Sequence, residues 1–315
     1  MNSVAILGSG FGLYGYLPAL VIHCGQQVVL PERYRERFEK HTELAVFASH
    51  VHWAADEFSA LRAATGAVLA QSPKMQSHWL ATCLAQPQLQ YLLLEKPLAT
   101  DPQAARHWHN KLEESGKVIR IAYLFRYLGW AAELRKAIAH STGQRVAICW
   151  RFSAHHFRHD LKTWKRDHDQ GGGAIRFYGI HLIALLAELG YSRVIESFSS
   201  GRADGEARRW NASFAGAGLP HCEVEVDSAS PIDRFSIACD SSSACALGLE
   251  QTDPFGNGQA TNLESALDRR VEVLGRFCQS AWRDPRPMQE FYQPVIDLWH
   301  ALEQCNSARP AFAAA

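Results

Sequence analysis

Short apolar runs without helical periodicity recur through the first 121 residues of the chain. The first run covers residues 4–7, and further runs follow at 27–30, 67–70, 91–94 and 118–122. Such runs are typical of strands that are buried on both faces of a parallel sheet. The segments between them, for example 74–84, suit helices. Strands that alternate with helices predict a doubly wound α/β domain.

After residue 121 the pattern changes. A strand is predicted at 145–152, and segments that alternate between apolar and polar positions predict antiparallel strands at 212–214, 222–226, 235–238 and 245–249. Apolar residues at helical spacing predict helices at 174–189 and 288–303, and we expect residues 306–315 to be frayed. Because 315 residues exceed what one hydrophobic core usually serves, we expect two domains, 1–121 and 122–315.

Composition narrows the class of protein. Lysine plus arginine and aspartate plus glutamate balance at 32 each, which argues against a general nucleic-acid or anionic-membrane binder. Apolar runs stay well below the roughly 20 residues that span a bilayer. The eight cysteines are scattered without a C-x-x-C pair, as free thiols of a reducing compartment would be. We therefore expect a cytoplasmic protein with no nucleic-acid or membrane partner.

The turn after the first strand carries the sequence GSGFGL. Glycines at positions 8 and 10 suit a tight turn whose backbone approaches a pyrophosphate at the start of the next helix. The third glycine of the dinucleotide fingerprint would stand at position 13, where this chain has leucine, and a glycine-rich turn without a ligand stays an alternative. The cofactor-binding residues predicted in this turn are Gly8, Ser9, Gly10, Phe11, Gly12 and Leu13.

Three further positions follow the ends of predicted strands. Glu32 lies 22 residues beyond Gly10, where a carboxylate would bind the ribose 2′-hydroxyl of NAD. Arg33 comes next and would attract the 2′-phosphate of NADP, so the pair favours NAD without excluding NADP. Ser72 and Lys96 follow two later strands. Since parallel strands end at one edge of a sheet, these residues and Gly8 predict a dinucleotide site at that edge.

Several motifs together resemble the glucose-fructose oxidoreductase, inositol dehydrogenase and MocA family (Gfo/Idh/MocA). They are the glycine turn with LPAL at 17–20, EKPLA at 95–99, and GGGA at 171–174 leading to GIH at 179–181. The resemblance covers nearly the whole chain. It implies an N-terminal Rossmann domain with a doubly wound parallel sheet and a C-terminal α+β domain with a large open, mostly antiparallel sheet. It also implies homodimers or homotetramers formed through that sheet.

The family transfers a hydride between NAD(P) and a carbinol or carbonyl of a sugar, inositol or nucleotide-sugar, so the resemblance implies an oxidoreductase. It assigns Lys96 as the donor to the reacting oxygen and His181 as the acid or base. Glu95 and Lys96 would also lie at the cofactor, as would Ser72, Pro73 and His78 beside the nicotinamide ribose. The substrate residues it implies are Tyr123, Arg126, Trp164 and His181, and we add Tyr178 because it lies in the same helical stretch as His181.

The chain departs from the family beside His181. Aspartates usual in active members are replaced by Phe177 and Ala184, so we expect a mostly neutral His181 whose lost polar contacts Tyr178 or Arg176 would replace. The departure favours an alternative, a nucleotide-binding member without turnover that acts as a sensor or regulatory partner. Glycoside cleavage through a transient ketone is a third possibility. No metal is expected, although His155 and His159 stand at helical spacing.

Overall fold

The computed structural model describes residues 3–139, 145–201, 205–239, 247–256, 267–284 and 286–310. The chain divides into two compact units. The first unit contains the chain up to Ala99, residues His107–Leu124, and the later segment around a helix at Val271–Arg283. The second contains most of the remainder. The predicted division at residue 121 instead assigns that later helix to the second domain. The two functional domains, 1–121 and 122–315, stay a prediction.

The first unit is built on a parallel sheet that has six strands among the described residues. These strands are β1 (Ser3–Leu7), β2 (Gln27–Pro31), β3 (Val51–Ala54), β4 (Gly66–Leu69), β5 (Tyr91–Leu94) and β6 (Val118–Ile121). Their order in the sheet is β3-β2-β1-β4-β5-β6. The central strands are almost fully buried, as their apolar runs require. The predicted Rossmann-type sheet is therefore confirmed.

Ten α-helices accompany the two sheets in the described parts of the chain. They are α1 (Leu17–Cys24), α2 (Arg35–Lys40), α3 (Glu57–Arg62), α4 (Pro73–Leu84), α5 (Pro102–Glu114), α6 (Gly129–Ala139), α7 (His155–Arg158), α8 (Ile180–Glu188), α9 (Val271–Arg283) and α10 (Tyr292–Cys305). Two π-helical segments precede α1 and α8, at Gly12–Tyr16 and Ala174–Gly179. Helix α9 belongs to the first unit and packs on α1.

The second unit is built on a mixed sheet of seven described strands. These strands are β7 (Arg145–Ser153), β8 (Arg193–Gly201), β9 (Arg209–Ala215), β10 (His221–Asp227), β11 (Ala229–Cys239), β12 (Leu247–Gln251) and β13 (Asn306–Pro310). The order is β12-β11-β7-β10-β9-β8-β13. Only the β7–β10 and β8–β13 pairs are parallel among these strands. The predicted mostly antiparallel sheet is confirmed.

Some predicted boundaries are wrong. Residues 306–310 are not frayed but pair with β8 as a parallel strand, and residues 311–315 lie outside the described part. The final helix begins at Tyr292 rather than 288, because Pro294 lacks an N–H and is tolerated only in a first turn. The strand predicted at 245–249 is found at Leu247–Gln251, while residues 245 and 246 are not among those described.

Candidate cofactor and substrate sites

The glycines after β1 meet three different surroundings. Gly8 has φ +139°, and a Cβ there would lie 2.2 Å from the carbonyl oxygen of Ala70. At Gly12 a Cβ would lie 2.7 Å from Cγ2 of Ile6, so this glycine permits close packing of helix on strand. At Gly10, by contrast, a Cβ would meet nothing within 4 Å. The first and third glycines thus serve the fold, and the second leaves open space.

The π-helical turn at Gly12–Tyr16 explains the shifted third glycine. A π turn holds more residues than an α turn, and here Gly12 rather than residue 13 faces the strand. Leu13 is fully buried, and its N–H donates to the Gly10 carbonyl at 2.9 Å. The open space at Gly10 lies at the N-terminal end of this helical turn, where the helix dipole favours negative charge, so it fits an anionic phosphate of a dinucleotide.

Phe11 and Ser9 flank Gly10 in the turn. The Phe11 ring packs edge-on against Tyr14 and Tyr16, and it occupies the space that a Cβ at Gly15 would need. The guanidinium of Arg270 lies 4.0 Å from the centre of the same ring. The Phe11 ring is thus held against neighbouring side chains, and both Phe11 and Ser9 are half-buried.

The sequence reasoning missed Arg270. Its guanidinium forms a two-pronged ion pair with Asp268, at 2.8 and 2.7 Å, while it covers the Phe11 ring. It lies immediately before α9, a long way along the chain from the glycine turn. No local motif signals such a contact, because only the return of the chain to the first unit creates it.

The residues that follow β2 form ion pairs. Glu32 accepts two hydrogen bonds from Arg35, at 2.5 and 3.0 Å, and these bonds lower the pKa of Glu32. Arg33 pairs with Glu57, the first residue of α3. Glu57 is a second residue that sequence reasoning missed, since only the tertiary fold brings α3 to the end of β2.

The Glu95–Lys96–Pro97 segment follows β5 and is fixed from two sides. Gln76 of α4 is fully buried, and its Nε2 donates to the carbonyls of Glu95, Pro97 and Leu98 at 2.8, 3.3 and 3.2 Å. The Tyr16 hydroxyl donates to one Glu95 oxygen at 2.7 Å. The other Glu95 oxygen accepts from the Lys96 backbone N–H at 3.2 Å. The Lys96–Pro97 peptide bond is cis.

Ser72, Pro73 and His78 lie at and along α4. Ser72 is the residue before the helix and Pro73 is its first residue, so both follow β4 at the C-terminal edge of the parallel sheet. His78 is exposed, with its ring 5.5 Å from that of Trp79. Tyr123 follows β6 and is only 2% exposed, and burial raises the pKa of its hydroxyl.

In the second unit, His181 lies in α8 and is 4% exposed. Its ring stacks on Phe125 with centroids 4.8 Å apart, and Phe255 lies edge-on at 6.5 Å. Another predicted substrate residue of this unit, Arg126, forms a two-pronged ion pair with Glu188 at 3.0 and 2.7 Å. The guanidinium of Arg126 is thus already bound within its own unit.

Half-buried aromatic side chains surround the position of the missing aspartate. Phe177 contacts Trp164 at 5.2 Å and Tyr178 at 4.7 Å between ring centroids. Tyr178 also contacts Phe152 and the buried His156. Burial, reinforced by Lys165 and Arg166, lowers the pKa of His156 to about 4, so this imidazole is neutral at pH 7. The surface that Phe177 creates here is aromatic rather than anionic.

Arg176 does not take over a role beside His181. Its guanidinium donates to Glu303 of α10 at 2.7 Å and to the carbonyls of Thr100 and His168. His168 and Trp299 also hydrogen bond to Glu303. Burial alone would raise the pKa of Glu303, but the bonds from His168 and Arg176 lower it to about 2. Arg176 therefore joins the π-helical segment to the last helix.

The described residues contain no cluster of three or more His, Cys, Asp or Glu side chains that could hold a metal ion. The rings of His155 and His159 do lie 4.5 Å apart. Over the same described part of the chain, no helix is both long enough and apolar enough to cross a membrane.

Comparison with solved structures identifies the fold. The WlbA dehydrogenase from Bordetella pertussis, in complex with NADH and UDP-GlcNAcA, matches 97% of this chain and 95% of its own at a TM-score of 0.73 and 13% identity. A myo-inositol dehydrogenase from Corynebacterium glutamicum matches 97% and 95% at 0.67 and 14%. The chain has the fold of these oxidoreductases.

A third similar structure is a 3-ketoreductase from Actinomadura kijaniata in complex with NADP and TDP-benzene. It matches 98% of this chain and 99% of its own at a TM-score of 0.70 and 13% identity. No protein-family model and no curated protein matches the sequence. The fold implied by the resemblance to the Gfo/Idh/MocA family is confirmed.

Proposed function

We propose that the protein is an NAD(P)-dependent oxidoreductase that transfers a hydride to or from a carbinol or carbonyl of a sugar-like or nucleotide-sugar substrate. The observation that carries this proposal is the fixed Glu95–Lys96–Pro97 segment at the same sheet edge as the open glycine turn. The three similar enzymes support it, since each acts on a sugar or polyol or is bound to a nucleotide-sugar or nucleotide analogue.

The chain's own residues account for binding and proton transfer. The backbone at Ser9 to Gly12 holds a pyrophosphate, and Glu32 accepts a hydrogen bond from a ribose hydroxyl. The ammonium of Lys96 donates to the reacting oxygen and stabilises the charge that develops there. His181 accepts or returns the carbinol proton. Bound NAD(P) supplies or accepts the hydride.

The first test is a titration of NADH and NADPH followed by nicotinamide fluorescence, which requires no substrate. A panel of nucleotide-sugars and polyols is then assayed through the absorbance of reduced nicotinamide. Lys96→Met should lower turnover about 100-fold or more and lower nucleotide affinity much less. Lys136→Met, in an exposed ion pair on α6, is the matched control. Equal turnover in both variants would contradict the role of Lys96.

A second candidate is a nucleotide-binding sensor or regulatory partner without turnover. The observation that favours it is the aromatic contact of Phe177 with Trp164 and Tyr178, where active relatives of the resembled family have a carboxylate. Tight binding of a reduced nicotinamide without turnover of any substrate in the panel would favour this candidate over the enzyme.

The remaining features are proposed on the same basis. The outer face of the mixed sheet forms a homodimer or homotetramer, and the protein acts in the cytoplasm on small molecules without binding nucleic acid or membranes. The balanced charge supports the absence of nucleic-acid and membrane partners, and the scattered free cysteines support a cytoplasmic location.

A further inference from the structure

We propose that Glu57 makes the cofactor site selective for NAD(H) over NADP(H) by holding Arg33 in an ion pair. The inference rests on the proposed function, because it concerns the same dinucleotide site. It names a selecting residue that lies outside the second strand and its turn.

The contacts place Glu57 at the cofactor edge of the first unit. Arg33 Nε donates to Glu57 Oε1 at 2.5 Å, and the Tyr34 hydroxyl donates to the same oxygen at 3.1 Å. The Tyr34 hydroxyl in turn accepts from the backbone N–H of Gly8 at 3.2 Å. The carboxylate is thus two hydrogen bonds away from the first glycine of the turn.

The exposed fractions of the two side chains show which residue fixes the position of the Arg33–Glu57 ion pair. The Glu57 side chain is 10% exposed, whereas that of Arg33 is 64% exposed. A buried carboxylate at the start of α3 has few positions, while an exposed arginine has many rotamers that the ion pair restricts. Glu57 therefore holds Arg33 rather than the reverse.

The two ion pairs at this edge, Arg33–Glu57 and Arg35–Glu32, carry no net charge, which disfavours an additional phosphate. The second cation, Arg35, is bound by Glu32 and also lies over the Trp53 ring at 4.3 Å. A 2′-phosphate carries a charge of about −1.5 to −2 near pH 7. It would have to displace a carboxylate from a guanidinium or bind beside Glu32 and Glu57. The 2′-hydroxyl of NAD(H) meets neither obstacle and donates to Glu32.

The test compares the affinities for NADH and NADPH in the full-length protein. Glu57→Gln removes the charge that holds Arg33 but keeps an oxygen that accepts from Tyr34, so the turn keeps its support. The wild-type protein should bind NADH more tightly than NADPH. In Glu57→Gln the affinity for NADPH relative to NADH should rise about tenfold, the effect of one charge-assisted hydrogen bond that becomes available.

Two further variants make the test specific. The gain should disappear in the double variant Arg33→Gln/Glu57→Gln, since it requires the freed guanidinium. Glu36→Gln removes an exposed carboxylate that pairs with Lys40 on the same stretch of chain, and it should leave the ratio unchanged. Nucleotide affinities and thermal unfolding are measured on every variant.

The outcomes separate this inference from the proposed function. Tighter binding of NADPH by the wild-type protein would overturn the inference without any variant. So would an unchanged ratio in a Glu57→Gln protein that still binds NADH. In both cases the proposed function would stand. Failure of both nucleotides to bind the wild-type protein would overturn the inference and the proposed function together.

Discussion

Gly8 and Gly10 are two residues apart in the turn, yet the structure assigns them opposite kinds of constraint. Gly8→Ala should destabilise the fold, because a Cβ there would meet the Ala70 carbonyl and φ is +139°. Gly10→Ala has room, so it should fold with wild-type stability. Its methyl group should nevertheless fill the space that a pyrophosphate needs and weaken NADH binding by about tenfold or more.

Urea unfolding and NADH fluorescence measure these two properties separately. Gly8→Ala should lower the free energy of unfolding without a specific loss of NADH affinity. Gly10→Ala should lower the NADH affinity and leave the free energy of unfolding unchanged. Wild-type NADH affinity in Gly10→Ala would show that no ligand approaches the backbone there.

Glu303 allows a second prediction at the scale of one side chain. Its folded pKa of about 2 lies below the ordinary value of 4.5. A depressed carboxylate pKa contributes stability that is fully present above pH 4.5 and is lost as the pH falls toward 2. Glu303→Gln should therefore lower the free energy of unfolding by about 3 kcal/mol at pH 7.

The difference between wild-type protein and Glu303→Gln should shrink as the pH is lowered from 4.5 toward 2. Urea unfolding at a series of pH values measures it. Glu133→Gln, which removes one side of an exposed pair with Lys136, should show almost no change and serves as the control. A pH-independent loss in Glu303→Gln would mean that shape rather than charge matters.

The sequence predicted residues whose role depends on local chain geometry. Gly8 and Glu32 lie at fixed distances from a strand end, and the cis-linked Lys96 is marked by its neighbours. Gln76 and Glu57 were missed because they act on segments that lie close only in the folded chain. Neither has a side-chain type or spacing that a linear pattern distinguishes from an ordinary helix residue.

At the scale of elements, α4 supports the Glu95–Lys96–Pro97 segment, for which we propose a catalytic role. Its buried Gln76 offers one amide nitrogen to three carbonyls around Lys96. Gln76→Met keeps the approximate shape but removes the donor, which leaves those buried carbonyls without it. We expect a loss of roughly 2 kcal/mol in unfolding free energy. Lys96 should also lose its position, so turnover should fall more than NADH affinity.

Lys74→Met on the exposed side of α4 is the matched control, and urea unfolding with steady-state kinetics gives both readouts. Wild-type kinetics in Gln76→Met would show that Lys96 is held by other contacts.

Periodicity predicted α4 itself well. It could not predict the π-helical turns, because each depends on a glycine that faces another element: Gly12 on Ile6 and Gly179 on Trp210.

At the scale of the whole molecule, the two faces of the mixed sheet differ in character. Alternation along β7 and β10 buries Val146, Ile148 and Val224 on one side. The other side carries small residues and ion pairs such as Arg151–Glu225, around a hollow of about 460 Å³. The sequence predicted this alternation. It could not predict what covers the outer face, because exposed small residues fit more than one kind of partner.

The proposed oligomer places a second copy of the chain on that outer face. Ala147 lies on the interior strand β7, opposite Glu223 and Ala238, and is half-buried. Ala147→Arg should separate the oligomer into monomers, because a long charged side chain would fill the space that a second sheet must approach. Light scattering after size-exclusion chromatography measures the mass.

Ala132→Arg, on an exposed position of α6, is the control and should keep the wild-type mass. NADH affinity should remain unchanged in both variants, since the residues that we propose to bind the nucleotide lie in the first unit. A monomeric wild-type protein, or an oligomer that persists in Ala147→Arg, would contradict assembly through this face. Loss of NADH affinity together with the oligomer would instead mean that assembly supports the cofactor site.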